Sequence, residues 1–279
     1  MKNHSTPITR RKFSHLVISC AILFFSGIIH AQVIGWSHPA SPPPYGLFSI
    51  GTSAAGVETG RSICVDASGN IYVYGTFAGT ADFDPSAGTN TATANGTSSD
   101  LFVAKYNSSG AFQWVARGGV INSGDNGSGN IGAIRTDGTN VYVVGSLAVS
   151  GGSATFSPAG GGCGCTEPTN ATTTRGFVGK LDCATGTWQW MNSFGGIGST
   201  LNAGQGVCLD PSGNVYVMGQ CNGTFTLGAL PAISTTDAQI FFAKLNSSGT
   251  WQWATTGGGT GSDGAGQSGG GIAYNSNLG

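Results

Sequence analysis

Charged residues and histidine are the groups this chain lacks most. Only 8% of its 279 residues are Asp, Glu, Lys or Arg, and it has none of the Ala/Glu/Lys/Leu richness on which long helices depend. Its four histidines stand at 4, 15, 30 and 38, so a single one, His38, is left beyond residue 31. A Ser/His/Asp triad needs a histidine base, and His38 sits among prolines, so nucleophilic chemistry finds no support. No apolar run is long enough to cross a bilayer, which excludes a membrane-spanning helix.

What the chain has instead is glycine, 49 residues of it, with many Ser, Thr and Asn. Disorder competes with an all-β fold for such a composition. Regularly spaced Val, Ile, Tyr, Phe and Trp clusters supply apolar surface that a disordered segment lacks, and they favour ordered strands.

The first 31 residues form a separate segment. Lys2, Arg10, Arg11 and Lys12 make a positive n-region, Leu16 to Ile29 an apolar core, and Ala31 a small-residue cleavage site before Gln32. This pattern predicts a signal peptide and hence a secreted or surface-exposed mature chain. Thr9-Arg10-Arg11-Lys12-Phe13 also fits a twin-arginine signal, so both export routes stay open, with ordinary secretion favoured. Ile18-Ser19-Cys20-Ala21 resembles a lipoprotein box, but the apolar core runs on past Cys20, against lipidation. Four of the 11 basic residues lie in this leader and all 12 acidic ones beyond it, leaving 7 basic against 12 acidic, a net charge of −5 with His neutral. No basic stripe is left for nucleic acid.

Of seven cysteines, six lie beyond the leader. Cys64 and Cys208 alternate with apolar residues at one repeat position and read as small buried hydrophobes. In an exported chain Cys183 could pair with Cys163 or Cys165, and Cys221 lies in the third repeat, but the connectivity of the four is not legible from sequence. Cys163-Gly164-Cys165 has no second pair at zinc spacing and no histidine near it.

Residues 32–46 carry Pro39, Pro42, Pro43 and Pro44, so they form neither a helix interior nor a central strand. Beyond them a cassette occurs three times. It reads RSICVDASGNIYVYG … LFVAKYNSSGAFQW to Trp114, GAIRTDGTNVYVVG … GFVGKLDCATGTWQW to Trp190, and QGVCLDPSGNVYVMG … FFAKLNSSGTWQW to Trp253. Each copy predicts strands A to D. A is 62–65, 132–135 or 206–209; B is 71–75, 141–145 or 215–219; C is 101–106, 176–181 or 240–245. D ends on Gln-Trp at 113–114, 189–190 or 252–253. Asp-x-Ser-Gly-Asn and Asn-Ser-Ser-Gly segments are tight turns between A and B and between C and D, since Gly and Asn tolerate positive φ. Lys105, Lys180 and Lys244 are 75 and 64 residues apart while Tyr72, Tyr142 and Tyr216 are 70 and 74 apart. The variation sits in the B–C loops, which are long enough for an extra hairpin, for example around Ala81-Asp82-Phe83. Gly271-Ile272-Ala273-Tyr274 matches strand A of a fourth unit.

Tandem four-stranded units with aromatics at fixed places predict an all-β fold, a β-propeller of antiparallel blades. The blades run about 61–119, 131–196 and 206–258, with a further one starting at 270–279. Three blades do not close a ring, so the chain is expected to be the N-terminal portion of a longer protein; self-assembly of three-bladed chains is the less favoured alternative. Val33–Trp36 or Phe48–Gly51 would then supply the outer strand of the last blade and close the ring. The pattern G(I/V)CVD-x-SGN-(I/V)-YV-x-G … (L/F)FVAK(Y/L)-NSSG-x-(F/W)QW resembles the seven-bladed β-propeller repeat of secreted bacterial proteins. Gly79-Thr80-Ala81-Asp82-Phe83-Asp84-Pro85 is similar to a segment of their Bacteroidetes members. The likeness covers about Phe48 to Gly279, and repeat two departs most, at Arg135-Thr136 and around Cys163. The resemblance implies a surface or secreted propeller, often in a large protein with a C-terminal sorting domain, and no catalytic residues.

Candidate chemistry is thin. Asp82 and Asp84 would share a strand face and two carboxylates could hold calcium, but repeats two and three carry Thr-Phe-Ser and Thr-Phe-Thr there, so a solvated loop edge is favoured. Gly258 to Ala265 fits a calcium nonapeptide as one isolated copy and reads as a connector. Asp66 and Asp210 read as turn caps, and the three repeated lysines as stems with their charge in solvent. Trp114, Trp190 and Trp253 read as packing between blades, with Trp188 and Trp251 facing outward. No catalytic, cofactor or metal residue is assigned and no cofactor is expected. The expected function is a non-catalytic binding or scaffold module for a protein or glycan at the rim loops. The alternative is a polysaccharide lyase or hydrolase whose catalytic groups lie beyond residue 279, and a stalk for an adjoining domain is a third, weaker reading.

Overall fold

The computed structural model describes residues 51–52, 58–95, 99–120, 132–149, 154–158, 166–167, 173–195, 202–259 and 271–275. Among them there is no helix, and every strand pairing is antiparallel. The first repeat contributes β1 Gly51–Thr52, β2 Thr59–Val65, β3 Ile71–Phe77, β4 Thr80–Asp82, β5 Thr91–Thr93, β6 Asp100–Tyr106 and β7 Phe112–Val120. The second contributes β8 Ala133–Thr136, β9 Asn140–Val149, β10 Ala154–Pro158, β11 Thr166–Glu167, β12 Thr173–Asp182 and β13 Trp188–Gly195. The third contributes β14 Ala203–Leu209, β15 Val215–Cys221, β16 Thr224–Leu227, β17 Ile233–Ser234, β18 Gln239–Leu245 and β19 Trp251–Gly257.

Strands A to D of each copy are β2-β3-β6-β7, β8-β9-β12-β13 and β14-β15-β18-β19, hydrogen-bonded in that order. β-Branched and aromatic residues fill these strands because they pack well on a pleated surface. The polar cassettes between them turn the chain through glycines with positive φ, +79° at Gly69 and +76° at Gly213, where a side chain would be strained.

The extra hairpin expected around Ala81-Asp82-Phe83 is present in all three B–C loops. It extends the neighbouring repeat's sheet instead of its own. β10 pairs with β7 over five residue pairs, and β16 pairs with β13. Sheets of four expected from sequence therefore become six, six and four strands. β1 takes the same place against β4, pairing Gly51 with Asp82 and Thr52 with Ala81. Of the segments expected to close a ring, 33–36 and 48–50 lie outside the described residues, and Gly51–Thr52 pairs with the first repeat's hairpin.

The first strands of the repeats lie against their neighbours, β2 on β8, and β14 on β8, β9 and β12. The core therefore sits between sheets. Tyr72, Trp114, Ile134, Phe177 and Trp188 join repeats one and two, and Phe194, Val207, Phe241 and Trp251 join two and three. A third cluster around Phe77, Phe83 and Phe102 closes the first hairpin onto its sheet. Gly271–Asn275, expected as a fourth strand A, is not a strand, because no ladder partner stands beside it among the described residues. Tyr274 instead stacks on Tyr216 at 6.4 Å and 27°.

Candidate functional site

The repeated polar residues converge at two places in each repeat, and both are built by the turns. At the A–B turn an aspartate gathers four donors. Asp66 Oδ1 accepts from the Ser68 and Asn70 amides at 2.9 Å, and its Oδ2 from Asn70 Nδ2 at 2.8 Å and the Tyr72 hydroxyl at 3.0 Å. Asp210 does the same with Ser212, Asn214 and Tyr216, and Asp137 with Thr139, Asn140 and Tyr142. These carboxylates are turn caps, as the sequence indicated for Asp66 and Asp210. Repeat two reaches the same arrangement through a shorter turn.

Burial alone would raise the pKa of Asp66, Asp137 and Asp210. The hydrogen bonds outweigh it and hold all three below the ordinary carboxylate value. Asp182 is likewise lowered, with bonds from Thr185 and Ala184 overcoming burial. A folded value below the unfolded one contributes stability that is complete above about pH 4 and lost as pH falls through the folded values. The thermal midpoint should therefore hold steady from neutral pH down to about pH 5 and drop below about pH 4. Replacing Asp66, Asp137 and Asp210 together by Asn should flatten that drop in a melting series. An unchanged acid slope would remove the turns from this role.

The second place is the joint between repeats. Lys105 Nζ donates to the Cys183 carbonyl at 2.8 Å, and Trp114 Nε1 donates to the same oxygen at 3.1 Å. One joint later, Lys180 and Trp190 donate to the Ser247 carbonyl at 3.4 and 3.3 Å, and Asn192 Nδ2 to the Gly249 carbonyl at 2.8 Å. Each lysine also sits over the tyrosine of its own strand B, at 5.5, 5.6 and 5.1 Å for Lys105, Lys180 and Lys244. At the two joints the lysine thus also meets a carbonyl and a ring, which the sequence reading did not foresee: Lys105 in a part-buried place, Lys180 in an exposed one. Alternation along a strand could not show that the next repeat's turn reaches over it.

Trp188 and Trp251 also differ from expectation. Both are buried, at 1% and 7% exposure, because the adjacent sheet covers the face they occupy. In Trp-Gln-Trp the first ring packs on the preceding repeat and the second on the following one. Trp251 meets Phe194 of repeat two edge-on at 6.0 Å, and Trp190 lies over Gly249. Trp114→Phe keeps a ring and removes one donor to Cys183. We expect it to lower stability by ~1 kcal/mol in urea unfolding, as for a single neutral hydrogen bond.

Asp82 and Asp84 do not share a strand face. Asp82 ends β4 and Asp84 lies beyond it. Asp82 Oδ1 accepts from the amides of Asp84 at 3.0 Å and Asn90 at 2.9 Å, while Asp84 accepts from Ser86 and Asn90 Nδ2 at 2.9 Å. Asp82 Oδ1 and both oxygens of Asp84 thereby shape the hairpin loop. Among the described residues no group of three His, Cys, Asp or Glu is placed to hold a metal ion. Cys163, Cys165 and most of Gly258–Ala265 lie outside the described residues.

Cys64, Cys183, Cys208 and Cys221 are free thiols. Burial raises the pKa of all four, to about 12 for Cys64 and Cys221, so they are held as unreactive packing groups. Cys208 is buried at its repeat position, as expected, while Cys64 is half-buried.

The B–C hairpins are the part in which the three cassettes differ, as the comparison of their sequences indicated. Their sequences differ in every copy; Ser86 to Thr91 are exposed in the first, and in the third Gly228, Ala229, Pro231 and Ala232 are exposed around a Leu230 that packs on the core. No helix among the described residues is long and apolar enough to cross a membrane. No known family model matches the sequence, and no curated protein matches it.

Proposed function

We propose that the chain is an exported, non-catalytic β-propeller module that binds a protein or glycan ligand through its B–C hairpin tips at the rim. One observation carries this reading. Residue types that recur, the turn aspartates and the lysine and tryptophan pairs of the first two repeats, are consumed by turns and joints, so recognition is left to the loops that do not recur. The four-stranded repeats set side by side, and the resemblance of their cassette to seven-bladed repeats of secreted bacterial proteins, support the propeller. The leader before Gln32 supports export to the cell exterior or surface.

The test is a glycan array and a polysaccharide-degradation panel run on the full chain after leader cleavage. Binding without turnover, weakened by replacing exposed tip residues such as Ala87 and Thr89 together, is the expected result. Degradation of any polysaccharide, abolished by one acidic substitution, would overturn it in favour of an enzyme.

A further inference from the structure

Of the basic residues beyond the leader, the three lysines lie over tyrosine rings, and Arg117 and Arg135 donate to main-chain carbonyls. Arg61 and Arg175 do neither. The ion pairs among the described residues are Arg117–Asp100 and Lys244–Asp210, so no carboxylate holds them. The Nε of each is shut off from solvent without a hydrogen-bond partner. A buried donor on a cation is costly while it lacks an acceptor.

Both arginines belong to the internal joint between repeats one and two, at the end of the sheets from which the B–C hairpins leave. β2 bulges at Arg61, between the pairs Gly60–Gly75 and Ser62–Tyr74, and a bulged residue departs from the regular alternation of faces. The Arg61 guanidinium acts on the Tyr74 hydroxyl, and Ser62 beside it accepts from the Ile134 amide of repeat two at 3.3 Å. Arg175 comes from the other side. It stands opposite Leu147 and two residues before Phe177, on the strand face that these two share, and both are in the cluster that joins the repeats.

Tyr74 lies between them, 2% exposed. A Cβ added at Gly145 would stand 2.4 Å from its hydroxyl and 2.8 Å from the Phe177 ring. Tyr72, Tyr106, Tyr142 and Tyr216 each donate to an oxygen, whereas the Tyr74 hydroxyl has no acceptor among the described residues. Burial raises its pKa, so it stays a donor at neutral pH. The three donors do not recur. Val144 and Met218 hold the register of Tyr74, Asp100 and Gln239 that of Arg175, and Gln205 that of Arg61 in repeat three.

We propose that this joint binds an oxyanion, a sulfate, phosphate or carboxylate group, which accepts from the guanidinium groups of Arg61 and Arg175 and from the Tyr74 hydroxyl. Guanidinium matches such groups in charge and in its planar fork of donors, and partial burial strengthens the contact. The anion supplies the acceptor that both Nε atoms lack. Because the hairpins leave from this end, the oxyanion is also placed to be the acidic substituent of a glycan at the rim; that extension alone rests on the proposed ligand reading.

Sulfate titration of the 15N-labelled full chain after leader cleavage, at constant ionic strength against chloride, tests the site through the arginine Nε–Hε signals. The expected result is saturable shifts of the Arg61 and Arg175 signals with one shared Kd of about 1 mM. Arg61→Met, Arg175→Met and Tyr74→Phe should each weaken binding roughly tenfold, as for one hydrogen bond to a charged group. Arg135→Met should leave it unchanged. The two arginine variants keep the apolar stem and remove an unpaired charge, so without sulfate they should melt no lower than the parent. Shifts that do not saturate, unequal Kd values, or binding indifferent to both arginine substitutions would mean an adventitious ion only and overturn the proposal. Dextran sulfate set against dextran and inorganic sulfate separates the sources. A polymer held more tightly than the free ion, and released by the double arginine variant, supports a glycan; one held no more tightly supports a free ion. Glycan-array binding that persists in the double variant would sink the anionic-glycan extension and leave the rim reading standing. Sulfate binding with no glycan bound would do the reverse.

Discussion

Trp188→Ala is expected to lower the stability of the chain by about 4 kcal/mol, the range found for emptying a large aromatic site. Trp188 is 1% exposed and belongs to the cluster that holds Tyr72 and Trp114 of the preceding repeat. Its ring lies on Gly179, where even a Cβ would stand 2.4 Å from it. The site is therefore shaped around the indole, and a glycine floor has no side chain with which to refill the cavity. Phe112 holds the same register in repeat one and is only partly buried, so Phe112→Ala should cost less. Urea unfolding of both variants measures the difference. A Trp188→Ala loss below about 2 kcal/mol would mean that the joint between repeats one and two collapses easily, against a close-packed interface.

The second large effect belongs to the glycine that ends Tyr-Val-x-Gly in every strand B. Gly75, Gly145 and Gly219 each face a phenylalanine of strand C, Phe102, Phe177 and Phe241. At Gly219 a Cβ would stand 2.0 Å from the main-chain oxygen of Ala203, and at Gly75 2.3 Å from that of Thr59. A main-chain oxygen in a ladder cannot move aside without breaking pairing. Gly219→Val should therefore cost ~3 kcal/mol through overpacking, and trimming Phe241 should not rescue it. At Gly145 the nearest atom is the Tyr74 hydroxyl, the far end of a side chain. Gly145→Ala should accordingly be milder than Gly219→Ala in the same melting experiment. Equal losses at the two sites would show that the strand-A carbonyl is not what excludes a side chain.

These two predictions separate what is legible in a sequence from what is not. Strand positions, turn positions and the turn role of Asp66 and Asp210 follow from residue types at fixed spacing, since a turn is a local object and its hydrogen bonds run within six residues. The Trp-Gln-Trp faces were read only by half. Alternation shows that Trp188 and Trp190 point to opposite sides, but it carries no sign of which side meets another sheet, and here both do. Lys105 and Lys180 were half-read for the same reason. The acceptors of Lys105 and Lys180 are 78 and 67 residues away, and nothing near either lysine in the sequence marks them.

The hairpins show the limit most clearly. A long B–C loop with Ala-Asp-Phe or Thr-Phe-Thr at its start signals a short strand pair, and all three copies form one. Its partner strand is another matter. Open edges in a sheet are covered by whichever strand lies beside them, and only the packed arrangement of repeats brings β10 to β7 and β16 to β13. By itself, then, the sequence determined the all-β class, the tandem repeat and its strands and turns, because these rest on period and local hydrogen bonding. The tertiary structure alone decided that the second and third repeats reach back to extend the preceding repeat's sheet and are held by that repeat's Lys and Trp, because contacts between residues some thirty to eighty positions apart leave no local trace.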